Sequence, residues 1–328
     1  MKNEISFAEN LIKIIEDSRN NALKKVNEEL IQMYWNVGEY LSKEAEKAAF
    51  GDSYIDSVAK EIQNAFPGIK GFTRRGLYRM KQFYETYYGD EFVPALLTQI
   101  SWTNHLMIMS KAKTVEERHF YITLCIKESY SSRELERQIE SAYYERYMLS
   151  KEKLLPEPIK GLKENPFLDS YVIEFLNLPK NFKESDLRRG LIQNMKDFIL
   201  EVGKDFTFID EEYRVQVGGE DFRIDLLFFH RGLQCLVAFE LKIGKFKPEY
   251  ISKMDFYLEA LDRQKKKENE NPSVGMILCA SKDNEVVEYA ISRSLSPMMV
   301  AEYKLQLPDK DILQKKLQEL VNIPLIEE

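Results

Sequence analysis

The sequence predicts a two-domain α+β protein, with an all-helical N-terminal domain and a C-terminal α/β domain built around a mixed sheet. Apolar residues recur at helical spacing through most of residues 1–150, where Pro and Gly are scarce. Several prolines interrupt residues 151–180, and beyond residue 202 the apolar spacing changes to the alternation of strands. A chain of 328 residues is long enough for two domains that each bury a core.

In residues 1–150, helices are predicted where apolar residues repeat and no Pro or Gly intervenes. The first covers residues 8–40, and the second covers 54–66 and ends before Pro67. Thr73 is expected to cap a third helix over residues 74–88, because a Thr side chain accepts hydrogen bonds from the first N–H groups of a helix. Further helices are predicted at 106–109, 115–128 and 132–149. We interpret this half as a winged-helix-like domain for DNA binding or assembly.

Residues 151–180 are predicted to form a linker that ends in a short helix at 170–176, and residues 181–328 to form the second domain. A helix over 185–202 precedes three strands, at 213–217, 223–229 and 233–242. Gly218-Gly219 and Arg231-Gly232 supply the turns between the strands. A helix at 248–264, a strand at 274–280, a helix at 284–292 and a strand at 298–305 follow. This order predicts a mixed sheet.

The composition excludes several classes of protein. With 44% hydrophobic and 31% charged residues, the chain is typical of a globular protein and not of a disordered one. No apolar run approaches the ~18 residues that span a bilayer, and no signal peptide is expected, so we predict a cytoplasmic protein without a membrane segment. The widely spaced Cys125, Cys235 and Cys279 are expected to be reduced thiols. The net charge of -7 argues against non-specific coating of nucleic acid, although local clustering decides phosphate binding.

An acid on one predicted strand and an acid–lysine pair on the next form the candidate catalytic site. Asp225 interrupts the apolar run Ile-Asp-Leu-Leu-Phe-Phe, where an unpaired buried carboxylate would be costly. Glu240 and Lys242 are two residues apart and therefore face the same side of their strand, and the hairpin would place Asp225 nearly opposite Glu240. Two carboxylates can share Mg²⁺, and Lys242 would approach the attacking water or the phosphate. An acid–x–Lys pair alone is more often a solvated face, so the prediction depends on Asp225 as well.

Residues 73–81 carry the strongest signal for nucleic-acid binding in the N-terminal half. One face of this helix is apolar, and the other carries Arg74, Arg75, Tyr78 and Arg79. A basic helix that follows another helix and a Gly-containing turn fits helix-turn-helix recognition of DNA. The alternative is an ordinary surface helix with solvated charges. In the C-terminal half, Lys245 and Lys247 are predicted to hold backbone phosphates as point charges.

Two further residues could belong to a functional site, but we predict a structural role for each. Trp102 is expected to be a core residue at the start of a helix. His230, at the end of the Asp225 strand, is expected to be a satisfied strand-end histidine.

Long stretches of the chain resemble the YhcG-like family of PD-(D/E)XK nucleases. Within residues 163–308 the matching words are FRIDLLFFHRGLQCLVAFELKIGKFKPEY, MDFYLEALD, NPSVGMILCASKDNEVVEYAISR and VAEYKLQLP. The N-terminal half is similar to the family's helical domain through YWNVGEYL, GFTRRGLYRMKQFYETY, ISWTNHL, ERHFYI and SSRELERQIESAYYERYM. The resemblance implies a restriction-endonuclease-like fold and a bacterial intracellular nuclease that cuts DNA with Mg²⁺ or Mn²⁺, in defence against foreign DNA or in DNA processing.

The resemblance also assigns roles to the candidate site. It implies that Asp225 binds the metal, that Glu240 is the second acid, that the carbonyl of Leu241 adds a metal ligand, and that Lys242 is the catalytic lysine.

Two positions depart from the pattern that the resemblance implies. Related nucleases often carry Gln in the helix after the site, where this chain has Lys253, which we predict to meet a phosphate. They also often carry an acid in the preceding helix, where this chain has Gln193, with Glu201 a distant substitute. These departures keep open an alternative function, a nuclease-derived scaffold that binds DNA without cutting it. A homo-oligomer would let two sites act on two strands.

Overall fold

The fold is given by a computed structural model that describes residues 2–47, 52–90, 96–151, 166–292, 294 and 296–321. The chain divides into two compact units, Met1–Glu136 and Arg137–Glu328. This division falls before residue 150, and the predicted scheme of two domains joined by a linker stays a prediction. No helix in the described ranges is long and apolar enough to span a membrane.

The described part of the first unit is helical. Its elements are α1 (Lys2–Lys47), α2 (Asp52–Ala65), α3 (Arg74–Tyr87), a 3-10 helix (Leu97–Gln99), α4 (Trp102–Lys111), α5 (Val115–Glu128) and the start of α6 (Ser132–Glu140). An all-helical region is therefore correct at this level. The described residues of the unit contain no strand that could form the wing of a winged helix.

The helix α3 is fixed at its start by a cap and along its length by α1. The Thr73 side chain accepts a hydrogen bond from the Gly76 N–H at 3.2 Å, which confirms the predicted cap. A Cβ atom at Gly38 of α1 would lie 2.1 Å from the carbonyl oxygen of Met80 in α3, so the two backbones approach at a distance that only glycine permits. Trp102 begins α4, is half-buried and packs edge-on against the buried Phe83.

The second unit begins with two helices where one was predicted. The prediction of a single helix over 132–149 is wrong, because this region forms two helices. The first, α6, ends at Glu140, and the second is α7 (Tyr143–Lys151). The break lies at Ala142, whose φ of 52° is left-handed and cannot continue a right-handed helix. The predicted helix over 185–202 is likewise two helices, α8 (Glu184–Gln193) and α9 (Met195–Val202), separated at Asn194.

The remaining elements of the second unit follow the predicted order and form a six-stranded mixed sheet. They are β1 (Ser170–Val172), a 3-10 helix (Glu174–Leu176), β2 (Phe206–Val217), β3 (Glu220–His230), β4 (Cys235–Lys245), α10 (Glu249–Gln264), β5 (Val274–Ser281), α11 (Asn284–Ile291), β6 (Met298–Lys304) and α12 (Lys310–Val321). The strand order is β1-β6-β5-β4-β3-β2. The two hairpins pair β2, β3 and β4 antiparallel, whereas β4, β5, β6 and β1 are parallel.

The first strand replaces the predicted short helix at 170–176. Ser170 pairs with Glu302 of β6, and the side chains of Tyr171 and Val172 are fully buried. This segment is a strand because it pairs with β6, which lies far along the chain. A local pattern of three residues cannot predict such a partner.

Helices cover both faces of the sheet. On one face Leu187, Leu191 and Phe198 of α8 and α9 share a core with Phe239 of β4. On the other face α10 packs through residues such as Met254. The strands β3 and β4 therefore run between two apolar layers.

The two hairpins differ in how they turn. Gly218 and Gly219 both have positive φ, which confirms the predicted two-residue turn. The next loop covers residues 231–234, and its left-handed residue is Gln234, with a φ of 51°, so the predicted tight turn at Arg231-Gly232 is wrong.

Candidate active site

The antiparallel pairing of β3 with β4 brings Asp225 and Glu240 together. The register pairs Leu226 with Phe239, and one further residue on each strand gives Asp225 and Glu240. The Leu241 N–H donates a hydrogen bond to Oδ2 of Asp225 at 2.8 Å. This juxtaposition is the one that the spacing of the two acids about the hairpin predicts.

Glu240 is a buried acid whose two oxygens have different surroundings. The residue is 1% exposed, and its Oε1 contacts Nζ of Lys242 at 2.9 Å and Nζ of Lys253 at 2.5 Å. Its Oε2 is also buried, and the described residues offer it no hydrogen-bond partner. Since buried polar atoms are nearly always paired, this oxygen is the notable unsatisfied group of the site.

Lys242 lies between three negatively polarised groups. Its Nζ contacts the Glu184 carboxylate at 3.2 Å and the Leu241 carbonyl oxygen at 3.0 Å, in addition to Glu240. Burial works to lower the pKa of Lys242, but the hydrogen bonds and charges of Glu240 and Glu184 outweigh it and raise the pKa. The ammonium group therefore stays protonated at neutral pH. The Tyr250 ring, with its centroid 5.4 Å from Nζ, adds a further favourable contact.

The surroundings of Asp225 disfavour the ionised form of its carboxyl group. Burial raises the pKa of its carboxyl, and the charge of Glu240 raises it further, while the Leu241 N–H and the nearby lysines act in the opposite direction. Arg188 of α8 reaches Oδ1 of Asp225 at 3.4 Å and also contacts Glu212 at 3.2 Å. The site therefore places a cation beside each of its two central acids.

Lys253 extends from α10 to the same acid. Burial lowers the pKa of Lys253, but its hydrogen bond to Glu240 and the charge of that acid raise it by more. Its ammonium group lies 5.3 Å from the centroid of the Tyr257 ring, and the Tyr257 hydroxyl donates to the Arg223 carbonyl oxygen at 2.6 Å. Its predicted role at a phosphate stays a prediction, since the contact in this structure is with Glu240.

The residues at this site suit an oxygen-seeking divalent cation bound partly by water. The donors are the carboxylates of Asp225 and Glu240 and the Leu241 carbonyl, and oxygen ligands of this kind suit Mg²⁺, which usually keeps several waters. The unpaired Oε2 of Glu240 is an available donor. Across the described ranges, no group of three or more His, Cys, Asp or Glu side chains is placed to hold a metal on its own. A site of two carboxylates, a carbonyl and waters fits both findings.

The acid on the preceding helix is Glu184, which the sequence reasoning missed. Gln193, the position considered for it, is exposed at the end of α8. Glu201 lies elsewhere, fully buried and paired with Arg137 at 3.0 Å and with Arg146 at 2.5 Å. The available signal was the spacing of Glu184 and Arg188, which are four residues apart and so lie on one face of a helix.

The other predicted site residues have the following places. In the second unit, Lys245 and Lys247 are exposed, and Lys247 has an ion-pair contact with Glu249 at 3.7 Å. His230 is buried and accepts a hydrogen bond from the Leu233 N–H at 3.0 Å, which confirms it as a satisfied histidine.

In the first unit, the predicted DNA-binding residues lie in the first two turns of α3. Arg74 contacts Asp56 of α2 at 3.4 Å and lies 5.8 Å from the Tyr78 ring centroid, while Arg75 is exposed and Arg79 is half-buried. The connection from α2 to α3 covers residues 66–73 and is longer than the turn of about 3–4 residues in a helix-turn-helix.

Comparison with known proteins gives matches along most of the chain. Residues 164–319 match the model of the YhcG PDDEXK nuclease domain, and residues 10–146 match that of the DUF1016 N-terminal domain. A protein of Escherichia coli (strain K12) named "Putative nuclease YhcG" is 30% identical over 346 residues, which cover 94% of this chain and 92% of that protein.

Solved structures give weaker similarity. A repair endonuclease from Pyrococcus abyssi is 16% identical, with a TM-score of 0.27, over 40% of this chain and 50% of that chain. EndoMS in apo form is 14% identical, with a TM-score of 0.26, over 40% of this chain and 49% of that chain. The assignment to a family therefore depends on the two domain matches and on the bacterial relative.

Proposed function

Because this chain belongs to the YhcG family, whose members join a DUF1016 N-terminal domain to a PDDEXK nuclease domain, we propose that it is a metal-dependent nuclease that hydrolyses DNA phosphodiester bonds. The observation that carries the proposal is the pairing of Asp225 with Glu240, whose Oε2 is buried and unpaired, next to the ammonium group of Lys242. This arrangement supplies metal donors and a fixed positive charge within one small region.

Each residue of the candidate site has a distinct role in the proposed reaction. Asp225, Glu240 and the Leu241 carbonyl would hold Mg²⁺ or Mn²⁺, which neutralises phosphate charge and acidifies a bound water. Lys242 stays protonated because its pKa is raised, so it donates hydrogen bonds to the water or the phosphate and stabilises negative charge in the transition state. It does not act as the base that accepts the proton of the water. Glu184 holds the Lys242 ammonium group in place.

The basic residues are proposed to bind the substrate. Lys245 and Lys247 would contact backbone phosphates near the cleavage site. In the first unit, which is helical in its described residues, α3 would contact DNA through Arg74, Arg75, Tyr78 and Arg79. We also propose a cytoplasmic bacterial enzyme that acts in defence against foreign DNA or in DNA processing, and a homo-oligomer whose two sites cut two strands.

A cleavage assay tests the proposal. Linear, circular and branched DNA would be incubated with Mg²⁺, with Mn²⁺ or with EDTA. We expect cutting only with metal, and we expect Asp225→Ala and Lys242→Ala to lower the rate by roughly 10²–10³-fold. Asp221→Ala is the matched control for Asp225→Ala, because it removes the same carboxylate from an exposed position of the same strand.

One observation favours a second function, a scaffold that binds DNA without cutting it. Lys253 neutralises Glu240 at 2.5 Å, and it stands where related nucleases often carry Gln. If the wild-type protein binds DNA but cuts none of the substrates with either metal, and if both alanine variants bind equally well, the scaffold function replaces the nuclease.

A further inference from the structure

Two lysines bind the same oxygen of Glu240. Lys242 comes from the same strand and Lys253 from α10, and both ammonium groups contact Oε1. The second oxygen, Oε2, is buried and has no hydrogen-bond partner among the described residues. The two lysines therefore hold one oxygen of the carboxylate and leave the other available to a cation.

The position of Lys253 is itself supported. Tyr257 lies one turn later on α10 and faces the Lys253 ammonium group with its ring. The Tyr257 hydroxyl donates a hydrogen bond to the carbonyl oxygen of Arg223 in β3, and this bond fixes the ring. The Lys253 side chain is nevertheless 47% exposed, so a neutral side chain of similar length can replace it without burying a new polar group.

The charges at the centre of the site cancel. Counted as ions, the carboxylates of Asp225 and Glu240 contribute two negative charges, and the ammonium groups of Lys242 and Lys253 contribute two positive ones. Glu184 and Arg188 add one charge of each sign, and Glu211 and Glu212, about as exposed as Lys253, contact Arg188. A divalent cation that enters this neutral group gains little from it, whereas a phosphate beside the cation restores a favourable balance.

Given the nuclease function proposed above, we infer that Lys253 is a positioning residue that leaves Oε2 as the only metal donor of Glu240 and that makes metal binding depend on a substrate phosphate. Lys253 remains in place when the cation binds, because it holds the opposite oxygen. Metal and DNA then bind cooperatively, and by reciprocity the metal tightens DNA binding as much as DNA tightens metal binding.

Direct measurement of metal binding tests the inference without cleavage. Free Mn²⁺ would be followed by electron paramagnetic resonance during titration of the full chain without DNA. We expect Lys253→Gln, which keeps a hydrogen-bond donor but loses the charge, to tighten the Kd for Mn²⁺ roughly tenfold. Lys253→Met loses the donor as well and should gain less. The matched control is Lys267→Gln, which removes the same charge from an exposed loop.

A second titration measures the coupling. A fluorescent duplex would be bound to the full chain in EDTA and in Ca²⁺, another oxygen-seeking cation, and followed by anisotropy. We expect Ca²⁺ to tighten duplex binding in both proteins, but Lys253→Gln should reach half of this effect at roughly tenfold less Ca²⁺, because the positive charge of Lys253 weakens the metal site.

The outcomes separate this inference from the proposed function. If the wild type cuts DNA with metal but Lys253→Gln leaves the Mn²⁺ affinity unchanged or weaker, the inference is wrong and the nuclease stands. Equal gains for Lys253→Gln and Lys253→Met would overturn the positioning role. If no protein binds Mn²⁺ with or without DNA and none cuts, the nuclease function is wrong and the inference with it.

Discussion

At Asp225, burial and the charge of Glu240 both disfavour the ionised carboxylate and raise its pKa. In the unfolded chain the same carboxyl group has a pKa of about 3.9. As the pH rises from that value through the raised native pKa, the folded state holds its proton longer than the unfolded state does, so stability falls. Above the native pKa this loss of stability is complete.

We therefore expect Asp225→Asn to stabilise the protein without metal. The amide oxygen can still accept the Leu241 N–H, and Arg188 keeps its contact with Glu212. The gain in Tm should be present at pH 7 and should disappear near pH 3, where the carboxyl is protonated in both the folded and the unfolded state. Thermal unfolding in EDTA at both pH values measures it. Glu220→Gln, an exposed change on the same strand, is the control, and a lower Tm for Asp225→Asn at pH 7 would contradict the argument.

The candidate site shows which residues a sequence can reveal. Asp225, Glu240 and Lys242 lie on two strands joined by a hairpin, so the two-residue period and the distance from the turn predict that they meet. Glu184 and Arg188 reach the same place from a helix, and their position depends on how α8 packs on the sheet. Local spacing carries no information about that packing. The contact of Lys253 with Glu240 was missed for the same reason.

Among the elements, α1 and α3, the proposed DNA-binding helix, approach each other closely at Gly38. Gly38→Ala would place Cβ 2.1 Å from the Met80 carbonyl oxygen, and a backbone atom cannot move aside as the end of a side chain can. We expect a loss of about 3 kcal/mol or more in the free energy of unfolding of the first unit. Urea denaturation measures it, with Asn21→Ala on the exposed face of α1 as the control. An unchanged midpoint for Gly38→Ala would show that α1 and α3 do not pack this closely.

Elements were predicted well where a local pattern determines them and poorly where it does not. The cap at Thr73 and the turn at Gly218-Gly219 depend on side chains and backbone freedom that the sequence displays. Ala142 and Gln234 adopt left-handed φ values that their residue types do not favour. Ala142 interrupts a helix and Gln234 shapes a loop, and neither effect can be predicted from the residue type.

At the scale of the whole molecule, cutting is proposed to reside in the second unit, and part of DNA binding in the first. Arg75→Ala with Arg79→Ala should then weaken DNA binding for all sequences and reduce the salt dependence of binding, by up to about two units of slope for two phosphate contacts. Asp225→Ala should leave that slope unchanged. Fluorescence anisotropy at several salt concentrations measures both, with Lys81→Ala on the same helix as the control. An unchanged slope in the double variant would mean that α3 is a surface helix with solvated charges.

The sheet of the second unit is completed by a pairing that spans most of that unit. Ser170 of β1 lies beside Glu302 of β6, so the first strand to leave the ribosome pairs with the last. At about 5–20 residues per second, the roughly 130 residues between them take about 6–26 s to synthesise. During that interval Tyr171 and Val172 have no strand to pair with, and the nascent chain must avoid pairing them elsewhere. The helical first unit has no such delay, and a newly made chain should therefore contain a folded N-terminal half well before it contains a nuclease.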